Sequence, residues 1–288
     1  MYTVKIQTST GDTIQLYPSS DYMLNSITGI TPADATINVS EMAAQDGAVF
    51  NSSKVLPRNL VITFDIRGRD ENVRRRRVNL YRYLKTKSRV RVYIATDQRD
   101  AYTDGYIERL DDGGSIFSDR ERMQLSIICP EPFFRDNATG EQAVSFSAIS
   151  PLFNFPFHIV TPIPFSQRDD VYINEIENDG DVACGAVLRV AANAEVVNPW
   201  FYNETTGQRM TFELTLASGD ELTISTVQGH KSAILRRNGE ETNVINALSH
   251  NSKWLTLEPG ANTFYYNAES GAVNMQLSFT YNILFEGL

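Results

Sequence analysis

The sequence predicts a mainly β protein of two domains, the first carrying one α-helix and the second built from strands alone. Three observations lead there. Apolar residues alternate at period two through most of the chain. A single segment carries the wider spacing of a helix, and turn signals recur at short intervals through the second half. With 288 residues, 42% hydrophobic and 21% charged, the chain can bury a core in each of two domains. No apolar run approaches the roughly 20 residues of a membrane-spanning helix, which excludes a helical membrane protein. The start, MYTVKIQTSTGD, lacks the charged and apolar stretches of a secretion signal, so export by that route is not expected.

In chain order, TVKIQ and TIQL flank Ser9–Asp12 as a hairpin. The run LVITFDIR then puts Leu60, Ile62, Phe64 and Ile66 on one face of a strand. The helix follows: Asp70 can cap it, Glu71 suits its positive end, and Val73, Leu80 and Leu84 fall near one stripe with Tyr81 beside it. Lys85 and Lys87 suit its negative end. Arg89–Ile94 alternates again as a strand.

CPEPFFRDNATGEQ interrupts the pattern. Pro130 and Pro132 remove backbone donors and Asn137–Gly140 reads as a turn, which places the boundary there, with domains at 1–134 and 135–288. Ser150–Phe165 is a second irregular stretch, with four prolines among four phenylalanines, and so much apolar surface argues that it packs down. Beyond it, short β-favouring runs lie between Asp179-Gly180-Asp181, Thr206-Gly207, Ser218-Gly219-Asp220, Asn238-Gly239 and Pro259-Gly260. That spacing suggests a β-sandwich or jelly roll. Asn238-Gly239, between KSAILRR and EETNVI, is the clearest hairpin, because a type I′ turn needs positive φ at both central positions.

Charge separates the halves. Residues 1–130 hold 18 Lys/Arg and 16 Asp/Glu, net +2, whereas 131–288 hold 8 and 19, net −11. The run Arg74, Arg75, Arg76, Arg77 invites a nucleic-acid reading, since guanidinium groups displace counterions from phosphates. A near-neutral first half, a pI near 4.9 and the lack of any aromatic-interleaved RNA motif oppose it. A solvated helix face or a subunit interface fits these residues better. No nucleic-acid or membrane partner is expected.

Catalytic raw material is sparse. His158, His230 and His250 are the only histidines, and no G-x-S-x-G, P-loop or G-x-G-x-x-G occurs. Asp169-Asp170 and Glu240-Glu241 are adjacent, which on a strand sends them to opposite faces. Glu175–Asp181 resembles the start of a calcium loop, but Ala186 stands where the bidentate Glu would be. Cys129 and Cys184, without a C-x-x-C pair, read as buried thiols. No metal, cofactor or catalytic residue is expected. Trp200, Tyr202 and Trp254, with Tyr265 and Tyr266, offer either a sugar-stacking platform or core packing. A glycan-binding adhesin acting through the second domain is the alternative function, and a glycan hydrolase would need a carboxylate pair in a groove.

The order of motifs resembles a known family. In the first half it is a hairpin, then LNSITGITP (24–32), Asp46-Gly47, Arg58 with NLVITFDIRG, the helix, and CPEPFF (129–134). In the second half it is Asn178–Asp181, Asn203–Gly207, LASGD (216–220), WLTLEPGAN (254–262) and FTYNILFEG (279–287). This series is similar to the distal tail proteins of long-tailed, siphovirus-type bacteriophages and prophages, over nearly the whole chain. The resemblance implies an N-terminal split β-barrel with one helix that builds a hexameric ring, and a C-terminal galectin-like β-sandwich projecting outward. It further implies a virion protein at the distal end of the tail, joining the tail tube protein to the tail-tip protein and a receptor-binding protein. The implied role is structural, with no reaction and no inserted sugar-binding module.

Overall fold

The structure is a computed structural model, and it describes residues 2–43, 46–68, 70–116, 120–146, 149–151, 166–168 and 173–288. Most of the Pro- and Phe-rich stretch, with His158 and Asp169-Asp170, therefore lies outside the described residues. The chain forms two compact units, Met1–Thr139 with Leu284–Leu288, and Gly140–Ile283.

The first unit is built from β1 (Thr3–Thr8), β2 (Thr13–Leu16), β3 (Tyr22–Thr28), β4 (Ala35–Glu41), β5 (Ala48–Val55), β6 (Arg58–Arg67), α1 (Asp70–Tyr83), β7 (Arg89–Ala95), β8 (Asp100–Ile116), β9 (Arg120–Cys129) and β10 (Phe134–Asp136). Its main sheet runs β2-β1-β7-β8-β9-β6-β3, every pairing antiparallel, and the path does not close into a barrel. Period-two alternation gives this sheet its buried face: Leu60, Ile62, Phe64 and Ile66 are all fully buried, as are Val4, Ile6, Val92 and Ile94. α1 covers β6 and β9 with Val73 and Leu80, and Leu84, one residue past its end, is buried as well. Tyr81 turns away from that stripe and is 49% exposed. The helix stops at Tyr83, and Lys87 beyond it has φ 68°, so Lys85 and Lys87 belong to the turn that follows.

The second unit holds β11 (Glu141–Phe146), β12 (Ile149–Pro151), β13 (Ser166–Arg168), β14 (Ile173–Asn178), β15 (Ala186–Ala192), β16 (Val196–Asn203), β17 (Gln208–Thr211), β18 (Thr215–Leu216), β19 (Glu221–Ser225), β20 (Ser232–Arg237), β21 (Glu240–Asn243), β22 (Gly260–Ser270) and β23 (Met275–Asn282). One sheet is β11-β23-β15-β19-β20-β21; the other is β14-β22-β16-β17, with β18 paired to β16. Leu188, Val190, Leu222, Ile224, Leu277 and Phe279 of the first bury against Ile176, Phe201, Met210 and Phe264 of the second. Phe264 meets Phe279 edge to face across the layer, ring centres 4.6 Å apart. This is a β-sandwich. Asn238 and Gly239 join β20 to β21 with φ 52° and 83°, the type I′ geometry that Asn-Gly favours.

The chain then returns. β24 (Leu284–Phe285) pairs with β10, Phe134 opposite Phe285, and so completes the first unit. Arg58, 3% exposed, gathers the strands around this return. Its guanidinium donates to the carbonyls of Pro132 at 2.7 Å, Thr31 at 2.5 Å, Glu286 at 2.6 Å and Gly29, while stacking 4.3 Å over Phe134. Arg99 donates to the Gly287 carbonyl at 2.7 Å and covers the Phe285 ring.

Candidate interaction surfaces

The four consecutive arginines do not act alike, because a helix turns them to different sides. Arg76 pairs with Asp21 at 2.6 Å and donates to the Arg67 carbonyl; Arg77 donates to the buried Glu121 at 2.8 Å. These two fasten α1 to the sheet, and the Glu121 hydrogen bond holds the Arg77 guanidinium above its ordinary pKa. Arg74 and Arg75 stay exposed, Arg75 reaching Asn72 at 3.3 Å. With Val78 and Tyr81, 47% and 49% exposed, and Arg82, they make the outer stripe of α1 basic with an apolar centre.

A second surface lies on β4 and β5, which pair only with one another. Opposed residues share a face, so Ala35, Ile37, Val39 and Glu41 lie beside Val55, Ser53, Phe50 and Ala48. The other face is mostly polar, with Asn38 donating to Ser52 at 3.0 Å and Asn51 to Ser40 at 2.7 Å, and carries the exposed Val49 opposite Ser40. A bulge after Asn38 brings Phe50 opposite Val39. Ile37, Val39, Phe50 and Val55 are 63%, 53%, 61% and 42% exposed. In the sequence Asp46-Gly47 stands out only as one motif of the series, although Ile37/Val39 and Val49/Phe50 about that turn carry a hairpin signal.

A third surface is the outward face of β1, β7 and β8. Lys5 sits 4.1 Å over Tyr93, Arg91 sits 4.5 Å over Tyr102, and Tyr93 donates to Gln7 at 3.0 Å. Burial works to raise the Asp104 pKa, but hydrogen bonds from Arg91 and Arg89 outweigh it and hold the carboxylate below its usual range. These residues alternate with core positions on their strands, and no contiguous motif marks them.

In the sandwich, Trp200 and Tyr202 share the outward face of β16, where Tyr202 lies 6.0 Å from Tyr265. Trp200 borders an open depression of about 550 Å³ with Asn198, Arg209, Thr211, Glu213 and Glu269. Arg209 stacks 4.2 Å over Trp200, so one indole face is already occupied. Trp254 is elsewhere, 5.4 Å beneath Lys231, and Tyr266 is buried. The structure thus brings Trp200 and Tyr202 to one face and leaves Trp254 out of the depression.

Several motif residues at the sandwich rim are structural. Asn178, Asn203 and Asn262 are buried and hold loops through backbone atoms: Asn178 donates to Val182 and Leu257, Asn203 to Thr256, and Asn262 to Glu258 and Gly260. Both amide hydrogens of each are thus taken up within the protein. Cys129 and Cys184 are buried free thiols, pushed by burial up to about 11 and about 12.

Two family models match the chain in tandem. Residues 9–140 match a phage tail protein RIFT-related domain, and residues 179–282 match the C-terminal domain of a siphovirus-type tail component. Among solved structures, the Dit (gp 19.1) protein of phage SPP1, described as a paradigm of the hub adsorption apparatus in phages that infect Gram-positive hosts, is 14% identical, with 98% of this chain and 99% of that one covered at a TM-score of 0.70. At that identity the likeness shows the fold. A chain of the phage P2 baseplate in its activated conformation with Ca is 9% identical over 98% of both chains, with a TM-score of 0.48 too low to argue from. No curated protein matches.

Proposed function

Because the chain belongs to the siphovirus distal tail protein family, and is by that membership a structural component at the distal end of the virion tail, we propose that it closes into a ring of identical copies through its first unit. In this reading the ring is the hub between the tail tube protein and the tail-tip proteins, including a receptor-binding protein. The tandem family match carries the reading. The charge split supports the choice of unit: the second half holds net −11, so copies packed through it repel at close range, whereas the first half is near neutral and rich in both signs. The first unit, domain 1–134 of the sequence reading together with the returning Leu284–Leu288, corresponds to the ring and Gly140–Ile283 of domain 135–288 to the outer module, and no reaction is assigned to either.

The test is imaging of the purified protein by negative stain, with light scattering across a concentration series. Rings with a central hole are expected. A variant in which a short linker replaces Gly140–Ile283 isolates the first unit; Arg135 pairs with Leu284, so the ends to be joined lie side by side. That variant is expected to keep the oligomeric state. A monomeric first unit beside an oligomeric Gly140–Ile283 overturns the assignment. Turnover of a cell-wall polysaccharide, abolished by changing one carboxylate, overturns the non-enzymatic part.

A further inference from the structure

An isolated two-stranded ribbon is marginal in water. The β4–β5 ribbon nonetheless presents Ile37, Val39, Phe50 and Val55 to solvent on one face. An apolar face of that kind marks a contact with another molecule. We infer that this face docks along the outer stripe of α1 on a second copy of the chain, and that this contact joins neighbours in the ring; the inference rests on the ring reading above.

Three observations select that occupant. The outer stripe of α1 is also exposed and has an apolar centre, Val78 and Tyr81, of the kind the ribbon lacks a partner for. Its charge is opposite. Arg74, Arg75 and Arg82 flank the centre and outweigh the single Glu71 on that side, while the ribbon and its turn carry Asp34, Glu41 and Asp46 against the single Lys54. The lengths also agree, since a seven-residue strand spans roughly 24 Å and a 14-residue helix roughly 21 Å.

Both surfaces are exposed in the same chain, so neither is used by the other within one copy. Two different patches that fit one another make a head-to-tail contact, the kind that closes a ring when the rotation permits. The contact also gives Arg74 and Arg75 a purpose distinct from Arg76 and Arg77, which are engaged within the chain.

The experiment uses the full chain and two variants, Val39→Asp/Phe50→Asp on the ribbon and Arg74→Glu/Arg75→Glu on the helix, each confirmed folded by circular dichroism. Each alone is expected to be monomeric at concentrations where the unaltered protein forms rings. Mixed in equal amounts, they are expected to form a two-copy species, because each keeps the surface the other has lost. Rings from either variant alone, or monomers from the mixture, overturn the contact while leaving the ring reading intact. A monomeric unaltered protein at every concentration overturns the ring reading, and this inference with it. As a second measurement, Val39→Cys/Val78→Cys under mild oxidation is expected to give a ladder of disulfide-linked copies that the unaltered protein, with both thiols buried, does not. A monomer band only counts against the contact.

Discussion

Arg58 shows how one side chain can tie down segments that lie outside the strands, at Gly29, Thr31, Pro132 and Glu286. A buried guanidinium without a carboxylate partner is costly, and burial accordingly lowers its pKa. Four backbone carbonyls, from Gly29, Thr31, Pro132 and Glu286, offset that cost. Arg58→Met keeps the stem but leaves those carbonyls unpaired, so it should lower unfolding stability in urea by about 3 kcal/mol. Arg58→Lys, with a point charge in place of a fork, should recover only part. The two thiols make a different residue-scale prediction. Burial raises both in the folded state above the ordinary 9.0. Their contribution to stability is therefore complete below pH 9, where the unfolded thiols begin to ionise, and is lost as pH rises toward about 11 for Cys129 and about 12 for Cys184. Urea midpoints should fall over that window, and fall less for Cys129→Ala/Cys184→Ala. At neutral pH a maleimide should label neither thiol until the protein is unfolded.

At the scale of elements, the Asn238-Gly239 hairpin isolates a backbone effect. A Cβ at Gly239 would meet nothing within 4 Å, so Gly239→Val there costs only the strain of a β-branched residue at φ 83°. A loss of about 1–2 kcal/mol, seen as a lower melting temperature of the sandwich, is expected. Gly29 has the same φ, but its Cβ would lie 2.0 Å from the Asn59 carbonyl, so even alanine should cost more there. The comparison explains what the sequence makes legible. Asn-Gly announces its turn, and Leu60, Ile62, Phe64 and Ile66 announce a buried face, because both follow from local chain geometry. Periodicity also marks β4 and β5 as two-faced, but it does not say whether anything covers the apolar face. Likewise Arg74–Arg77 reads as one charge run, and only the helix rotation against Asp21 and Glu121 divides it into two anchors and two exposed groups. Trp200 and Trp254 are alike in sequence, yet long-range placement gives each a different cation.

Across the whole molecule, the consequential feature is the return of Leu284–Leu288 to the first unit. In sequence FTYNILFEG groups with the motifs of the second half, since nothing local distinguishes Leu284 and Phe285 from the residues before them. Pairing between residues about 150 apart is a tertiary fact. Its energetic content is open to test by ending the chain after Ile283. The truncation opens Phe134, fully buried in the intact chain, and removes the Glu286 acceptor from Arg58 and the Gly287 acceptor from Arg99. It also removes the Phe285 ring under Arg99 and the bond from the Leu288 amide to the Ile30 carbonyl. Uncovering one large aromatic alone costs roughly 2–3 kcal/mol, and the lost hydrogen bonds of a buried cation add to it. The first unit should therefore melt earlier while the sandwich transition keeps its midpoint, because its two sheets end at Asn282. The same return governs proteolysis. The stretch Asn137–Gly140 is an exposed turn and the expected site of nicking, yet the two fragments should elute together in native gel filtration and separate only in denaturant, since the second fragment still carries the strand that completes the first unit. Fragments that part after nicking in native buffer, or a truncated chain with an unchanged first transition, would show that Leu284–Leu288 rests on the first unit without stabilising it.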